Sequence, residues 1–377
     1  MRILHVGKYY APERGGIESY TRALCEWTAA HGHSVAALVH QRPGTWHTAR
    51  ETIGGVEVHR VACIADPVYT PLSPTFPFEL ARTLREQKPD LLHLHLPNPS
   101  CFSLLASARA RRLPWIVHWH SDIPRDAPDW RLRIGYRTYR PFEQALLKRA
   151  AAVVATSQTY LDASAALARW RAKCRVIPLG AGDVALPPAR PDLWPRGNGP
   201  KLLAVGRLSH YKGFDVLIEA LARTHDGVLL LIGDGECADE LRSAAAKLQV
   251  TERVRFAGAV DDATLLAAYA AADALVLPSL NRGEAFGLVL LEAMRARLPV
   301  IASAIPGSGI GDVVADGETG LLTAPGDAGA LADAIKRLGD LSLRLRLGTN
   351  GRRRWEQRFT LERSAQDWMA LYAEVLR

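Results

Sequence analysis

Short apolar runs alternate with helix-period segments twice along this chain, and a proline-rich stretch parts the two arrays. The first array reads as strands at Ile3–Gly7, Ser34–His40, Val56–Ala62, Leu91–Leu96, Trp115–His120, Ala152–Thr156 and Arg175–Leu179. Between the first two, Ile17, Tyr20, Leu24 and Trp27 recur at helical spacing over Ile17–Ala30. The second array reads as strands at Lys201–Val205, Val228–Ile232, Val254–Ala257, Ala274–Pro278 and Val300–Ala302. Helices separate them at Phe214–Arg223, Ala238–Leu248, Ala263–Ala272 and Leu288–Arg295. Several strands are nearly continuous apolar runs, as parallel strands covered on both faces require.

Two such arrays predict an α/β chain of two Rossmann-like, doubly wound domains with right-handed crossovers. The first spans 1–182 and the second 201–356. The stretch 183–200, with five prolines, two glycines and no periodicity, is expected to be a linker. The tail Trp355–Arg377 reads as one or two helices, with Trp368, Leu371, Tyr372 and Val375 as an apolar stripe. Ligands of such sheets bind outside the carboxyl ends of the strands, so an interdomain cleft is the expected site.

Composition narrows the class. Of the 47 Lys and Arg and 39 Asp and Glu, residues 1–182 hold 24 and 14, a net +10; residues 183–377 hold 23 and 25, a net −2. The basic half points to an anionic partner, or to a plain bias toward arginine. No signal peptide and no run of about 18 apolar residues is present in the sequence, so a cytoplasmic location without a membrane span is expected. The five cysteines form no CxxC and no Cys/His cluster at metal spacing. They read as reduced thiols, and a structural zinc or a disulfide framework is disfavoured.

Gly15 and Gly16 follow the first strand and open a helix. Paired glycines let a phosphate approach the free N–H groups there, or simply make a turn. The pattern is not GxGxxG, so no dinucleotide cofactor is indicated. Arg207 and Lys212 lie in the loop after the second array's first strand, where two cations suit a diphosphate or are merely solvated. In Glu284-Ala-Phe-Gly-Leu-Val-Leu-Leu-Glu292, the Phe286-Gly287 break puts Glu284 in a loop facing ligand and Glu292 on an apolar helix face. A ribose diol can donate to such a carboxylate, and a structural ion pair is the other reading of Glu292. His118 and His120 point the same way at one strand end, beside Asp122, and His93 and His95 repeat the spacing. They read as substrate contacts, as a stacked polar layer, or as metal ligands. Asp261-Asp262 reads as a helix cap.

Gly15-Gly16-Ile17-Glu18, the His118-Trp119-His120 run, the stretch Gly206–Leu221, Gly233-Asp234-Gly235 and the Glu284–Glu292 segment together resemble the GT4 family of retaining glycosyltransferases, with the GT-B fold. The resemblance covers essentially the whole chain and is nearest to bacterial polysaccharide-assembly mannosyltransferases. It implies transfer of a sugar from a nucleoside-diphosphate sugar, with GDP-mannose the first donor to try, to a hydroxyl of a lipid-linked glycan acceptor. Arg207 and Lys212 would hold the diphosphate, Glu292 the ribose, and Glu284 the sugar hydroxyls. Phe286, Gly287 and Leu288 would offer backbone N–H groups. Gly15 and Gly16 would admit the diphosphate and acceptor, and His120 would touch the transferred sugar. A C-terminal helix, about 357–377, would pack back on the first domain. No metal-binding DxD motif is present, so no cofactor and no metal are expected.

Two other readings remain at this stage: a nucleotide-sugar epimerase of similar architecture, and a nucleic-acid-binding protein, which the basic pI favours but no recognition motif supports. A lipid-linked acceptor also predicts peripheral docking on the inner face of the cell membrane. Residues 130–150 carry Arg131, Arg133, Arg137, Arg140, Lys148 and Arg149, interleaved with Trp130, Tyr136, Tyr139 and Phe142. These suit an anionic membrane surface, or a solvated helix whose aromatics pack inward.

Overall fold

The computed structural model describes residues 1–377 apart from 14, 68–69 and 124–129, with the backbone alone for 130–133. The chain divides into two compact units. One is Met1–Gly180 together with Leu361–Arg377; the other is Ala181–Thr360.

The first unit is built on eight strands: β1 (Arg2–Val6), β2 (Ser34–His40), β3 (Ala49–Ile53), β4 (Val56–Val61), β5 (Leu91–Leu96), β6 (Trp115–Trp119), β7 (Ala152–Ala155) and β8 (Cys174–Val176). Their order is β3-β4-β2-β1-β5-β6-β7-β8, so the winding reverses between β1 and β5. All neighbours are parallel except β3 and β4. The sequence reading omitted β3, an exposed, charged edge strand with no apolar face. Its signal was Gly54-Gly55: both residues have positive φ, and they close a two-residue hairpin that pairs Ile53 with Val56.

The second unit carries β9 (Lys201–Val205), β10 (Val228–Ile232), β11 (Val254–Gly258), β12 (Ala274–Leu277), β13 (Val300–Ser303) and β14 (Gly320–Thr323). They are parallel, in the order β11-β10-β9-β12-β13-β14. The reversal falls between β9 and β12. Leu202, Ala204, Leu229, Leu231 and Val276 pack on Phe214, Leu217, Ile218 and Leu221 of the following helix, a dry core that fixes where the strands end.

The stretch 183–200 is not a free linker. Leu193 and Trp194 are buried, and the Trp194 indole donates to Leu202 O at 3.4 Å. Arg352 pairs with Asp183 at 2.8 Å, and Arg295 donates to Gly182 O at 2.9 Å. Prolines removed the periodicity, yet single apolar anchors still hold an extended chain to the second unit.

Helix Leu361–Leu376 completes the first unit. The Trp368 indole donates to the Tyr20 hydroxyl at 2.9 Å, and Ser364 Oγ donates to Pro178 O at 2.7 Å. With its one proton committed there, Ser364 accepts from Tyr20, 2.6 Å away. Trp368 is fully buried. Trp368→Ala should therefore cost about 3–5 kcal/mol, read as a lowered urea midpoint of the unfolding step that involves the first unit.

Candidate functional site

Three loops of the second unit converge at the carboxyl ends of β9, β12 and β13. After β9 the chain makes one tight turn, His210–Lys212, and reaches Gly213 at φ 65°, the residue that opens helix Phe214–Ala222. Any Cβ at Gly213 would strike the Pro278 carbonyl after β12. The loops are stitched there by Leu280 N–H donating to Tyr211 O at 2.7 Å. Into this junction Lys212 sends its ammonium to Glu284 Oε2 at 2.6 Å; both side chains are only 11% exposed. Ser279 Oγ also donates to Glu284 Oε2, at 3.2 Å, and Ser308 Oγ, after β13, donates to the Glu284 carbonyl at 2.5 Å. Burial alone would lower the Lys212 ammonium, but the charge and hydrogen bond of Glu284 outweigh it and hold it above its ordinary value. Glu284, which the sequence reading put in a loop facing ligand, is thus also the counter-ion of Lys212. One of the ammonium's three donors goes to Glu284.

Arg207 lies exposed in the same loop. Gly287, at φ 81°, opens helix Leu288–Arg295 without a side-chain cap. The first N–H groups of that helix, Leu288 among them, have no partner within the helix. The Phe286 side chain is buried, 6.1 Å from the Phe359 ring and edge-on to it, so only its backbone is available to a ligand. Glu292 is half-buried on that helix and accepts from the Tyr269 hydroxyl at 2.6 Å. Burial pushes its carboxyl above the usual carboxylate range despite the hydrogen bond. Tyr269 had no sequence signal, since it comes from a helix 23 residues upstream.

In the first unit, His120 lies just beyond the end of β6 and Gly15 precedes helix Gly16–Ala30. His120 belongs to a buried layer of five imidazoles: His5, His93, His95, His118 and His120. His5 Nδ1 meets His95 Nε2 at 3.1 Å, and His95 Nδ1 meets His120 Nε2 at 2.9 Å. His93 joins the Tyr372 hydroxyl at 2.6 Å and His118 at 3.4 Å. The stacked layer is thus the arrangement formed, and His5 extends the set that the sequence pattern found. Asp122 is an anchor: its carboxylate accepts from the Trp119 indole at 3.0 Å and from Ser164 at 2.6 Å. Asp261 caps its helix, accepting from Thr264 N–H at 2.7 Å.

Helix Trp130–Arg149 is mixed in character. Tyr136 is buried, and Arg149 turns inward over the Trp115 ring. Ile134 (52%) and Phe142 (51%) are exposed, alongside Arg137 and Arg140. The Trp130, Arg131 and Arg133 side chains lie outside the described residues.

Comparison with known proteins decides the family. The model of the glycosyl transferase 4-like domain matches residues 15–180, and that of glycosyl transferases group 1 matches 189–354. D-rhamnosyltransferase WbpZ of Pseudomonas aeruginosa is 33% identical over 96% of this chain and 92% of its own. The chain belongs to the group 1 glycosyltransferases. O-antigen chain mannosyltransferase C of Escherichia coli is 31% identical, covering 100% of this chain and 99% of that one. Sucrose-phosphate synthase of Thermosynechococcus elongatus superposes with a TM-score of 0.81 at 27% identity, covering 99% and 98%. The fold is GT-B, as the sequence resemblance implied.

The glycosyltransferase's imidazole layer makes its stability depend on pH. Burial holds His5 and His120 down at about 3. His93, His95 and His118 lie well below the usual imidazole value, from burial first and then from neighbouring imidazoles. These groups stay neutral in the fold while their unfolded counterparts protonate near 6.5. Their stabilisation is complete above about pH 6.5 and is lost as pH falls toward about 3, at about 1 kcal/mol per histidine over the first unit of pH. Urea midpoints should drop steeply below that point; a flat profile would contradict the layer.

Proposed function

We propose that this glycosyltransferase is a retaining, GT4-type enzyme that moves a manno-configured sugar from its nucleoside diphosphate, GDP-mannose first, to a hydroxyl of a lipid-linked glycan in cell-surface polysaccharide assembly. The observation that carries this reading is the convergence of Lys212, Glu284 and the uncapped helix start at Gly287 outside the strand ends. A diphosphate leaving group carries at least two negative charges. Lys212, Arg207 and the N–H groups after Gly287 supply cations and donors where that charge develops. Glu284 holds the ammonium in place before donor arrives and is near enough to share hydroxyls of the sugar. Glu292 is the ribose acceptor, preset by Tyr269. In the proposed retaining step the acceptor attacks on the face the diphosphate leaves, and the departing diphosphate takes the acceptor proton. In this reading His120 contacts the sugar, and Gly15 and Gly16 admit diphosphate and acceptor once the Glu18 carboxylate, which lies against Gly15, moves aside. Mannose and rhamnose share manno stereochemistry, and both names occur among the relatives, which supports the sugar class. The epimerase and nucleic-acid-binding readings gain no support from those relatives. Transfer is proposed to run without a metal on the diphosphate, since the two cations take that part and Asp261 caps a helix.

The test is product analysis with labelled nucleoside-diphosphate sugars, with anomeric configuration read by NMR. Arg207→Ala should keep its fold and lose about 100- to 1,000-fold in kcat. Lys212→Ala should lose activity and also about 3–5 kcal/mol of stability, because Glu284 is left buried and unpaired. Glu292→Gln should mainly weaken nucleoside diphosphate binding, measured by calorimetry. Near-normal turnover in both cation variants would sink the assignment.

A lipid-linked acceptor places the enzyme at the cytoplasmic membrane face. No described helix is long and apolar enough to cross a membrane. The exposed Ile134, Arg137, Arg140 and Phe142 of helix Trp130–Arg149 favour peripheral docking on anionic lipid. Liposome sedimentation should show binding that rises with anionic lipid, falls with salt, and weakens in Arg137→Ser/Arg140→Ser. Indifference to all three would remove the membrane from the account.

A further inference from the structure

In the second unit a second chemical cluster lies beside the cation loop. His210 opens the tight turn that carries Lys212, and Cys237 precedes helix Ala238–Lys247, which contains Glu240. A ring nitrogen of His210, Cys237 Sγ and a Glu240 carboxylate oxygen lie within 4.8 Å of one another. His210 Nε2 and Glu240 Oε2 are 3.8 Å apart. No local spacing marks this set: 26 residues part His210 from Cys237, and no CxxC is involved.

We propose that His210, Cys237 and Glu240 form a binding site for a borderline-soft divalent cation of the zinc class, with a fourth position open to water. Sulfur, imidazole nitrogen and carboxylate oxygen are the donor set such an ion selects, whereas magnesium prefers oxygen throughout. Zinc's bond lengths separate tetrahedral ligands by roughly 3.3–3.8 Å. A nitrogen–oxygen pair sits at the short end of that range, so His210 and Glu240, at 3.8 Å, need close by only about half an ångström, and both side chains are free to do so at 80% and 68% exposure. Cys237 is 4% exposed and fixed: its N–H donates to Leu208 O at 2.9 Å. One rigid ligand and two mobile ones make an open mouth with a set floor. Burial first, and then the charges of Glu236, Glu240 and Asp215, hold the Cys237 thiol above its ordinary value. The same negative field attracts a dication, which in turn displaces the thiol proton to solvent as it binds. The histidine layer of the first unit differs, because most of its ring nitrogens face one another at hydrogen-bonding distance.

A bound ion would staple the start of helix Ala238–Lys247 to the turn before Lys212. The position is structural, outside the proposed transfer chemistry, and the inference stands whether or not that chemistry is assigned correctly. The experiment is titration of the full chain with Cd²⁺ alone and with Zn²⁺ alone, in a reductant that carries no thiol. One equivalent of Cd²⁺ should raise a thiolate charge-transfer absorption, and Zn²⁺ should compete for it and raise the melting temperature. Cys237→Ser should abolish the band. His210→Ala and Glu240→Gln, on exposed side chains that leave the fold intact, should each weaken binding at least roughly tenfold, the loss that even outer-shell changes cause. No band in the unmodified chain, a band that survives Cys237→Ser, or affinity unchanged by His210→Ala would each overturn the site.

Discussion

Lys212 and Glu284 meet at 2.6 Å, each only 11% exposed, and the structure of the second unit's strand ends depends on that pair. Desolvating such a pair costs about what their attraction returns, so it adds little net stability over apolar residues of the same shape. Its consequence is positional. The pair ties the loop after β9 to the loop after β12, at the point where the strand order of the second unit reverses. Gly213 can approach Pro278 only because it lacks a Cβ, and Ser279 and Ser308 fix the carboxylate and its backbone from two further directions. In the proposed function, an anionic ligand arriving there would meet an ammonium already charged and held, with little left to reorganise.

The two units handle buried polarity in opposite ways. The second concentrates opposite charges in one junction. The first keeps its imidazoles neutral and joins them ring to ring beneath Tyr20, Trp368 and Tyr372. Neutral rings leave the geometry at His120 insensitive to salt but sensitive to acid. The positive excess of residues 1–182 is therefore a property of surface arginines, not of the histidine layer.

Periodicity carried most of the fold, because parallel interior strands must be apolar on both faces; Ser34–His40, Leu91–Leu96 and Val228–Ile232 match the expected bounds. Where burial is one-sided or absent, the pattern fails. β3 has polar faces and was visible only through its glycine turn. The 183–200 stretch is held by Leu193 and Trp194, two anchors too few to make a period. Among the candidate site residues, the positions of the cations after β9 and of the carboxylates around Gly287 were legible because a strand end, a loop and a helix start follow one another in sequence. Their partners were not. Tyr269, Ser279, Ser308 and His5 meet their targets through the sheet's winding, which no local pattern encodes. The same winding also brings Glu284 to Lys212.

Helix Leu361–Leu376 has a further consequence for how the chain is made. Tyr20 and His93 emerge from the ribosome long before Trp368 and Tyr372, the residues that cover them. The first unit to be synthesised is thus the last to be sealed, whereas the second can close from its own contiguous segment. Until helix Leu361–Leu376 has emerged, the imidazole layer lacks its cover of Trp368 and Tyr372 and stays open to water on that side.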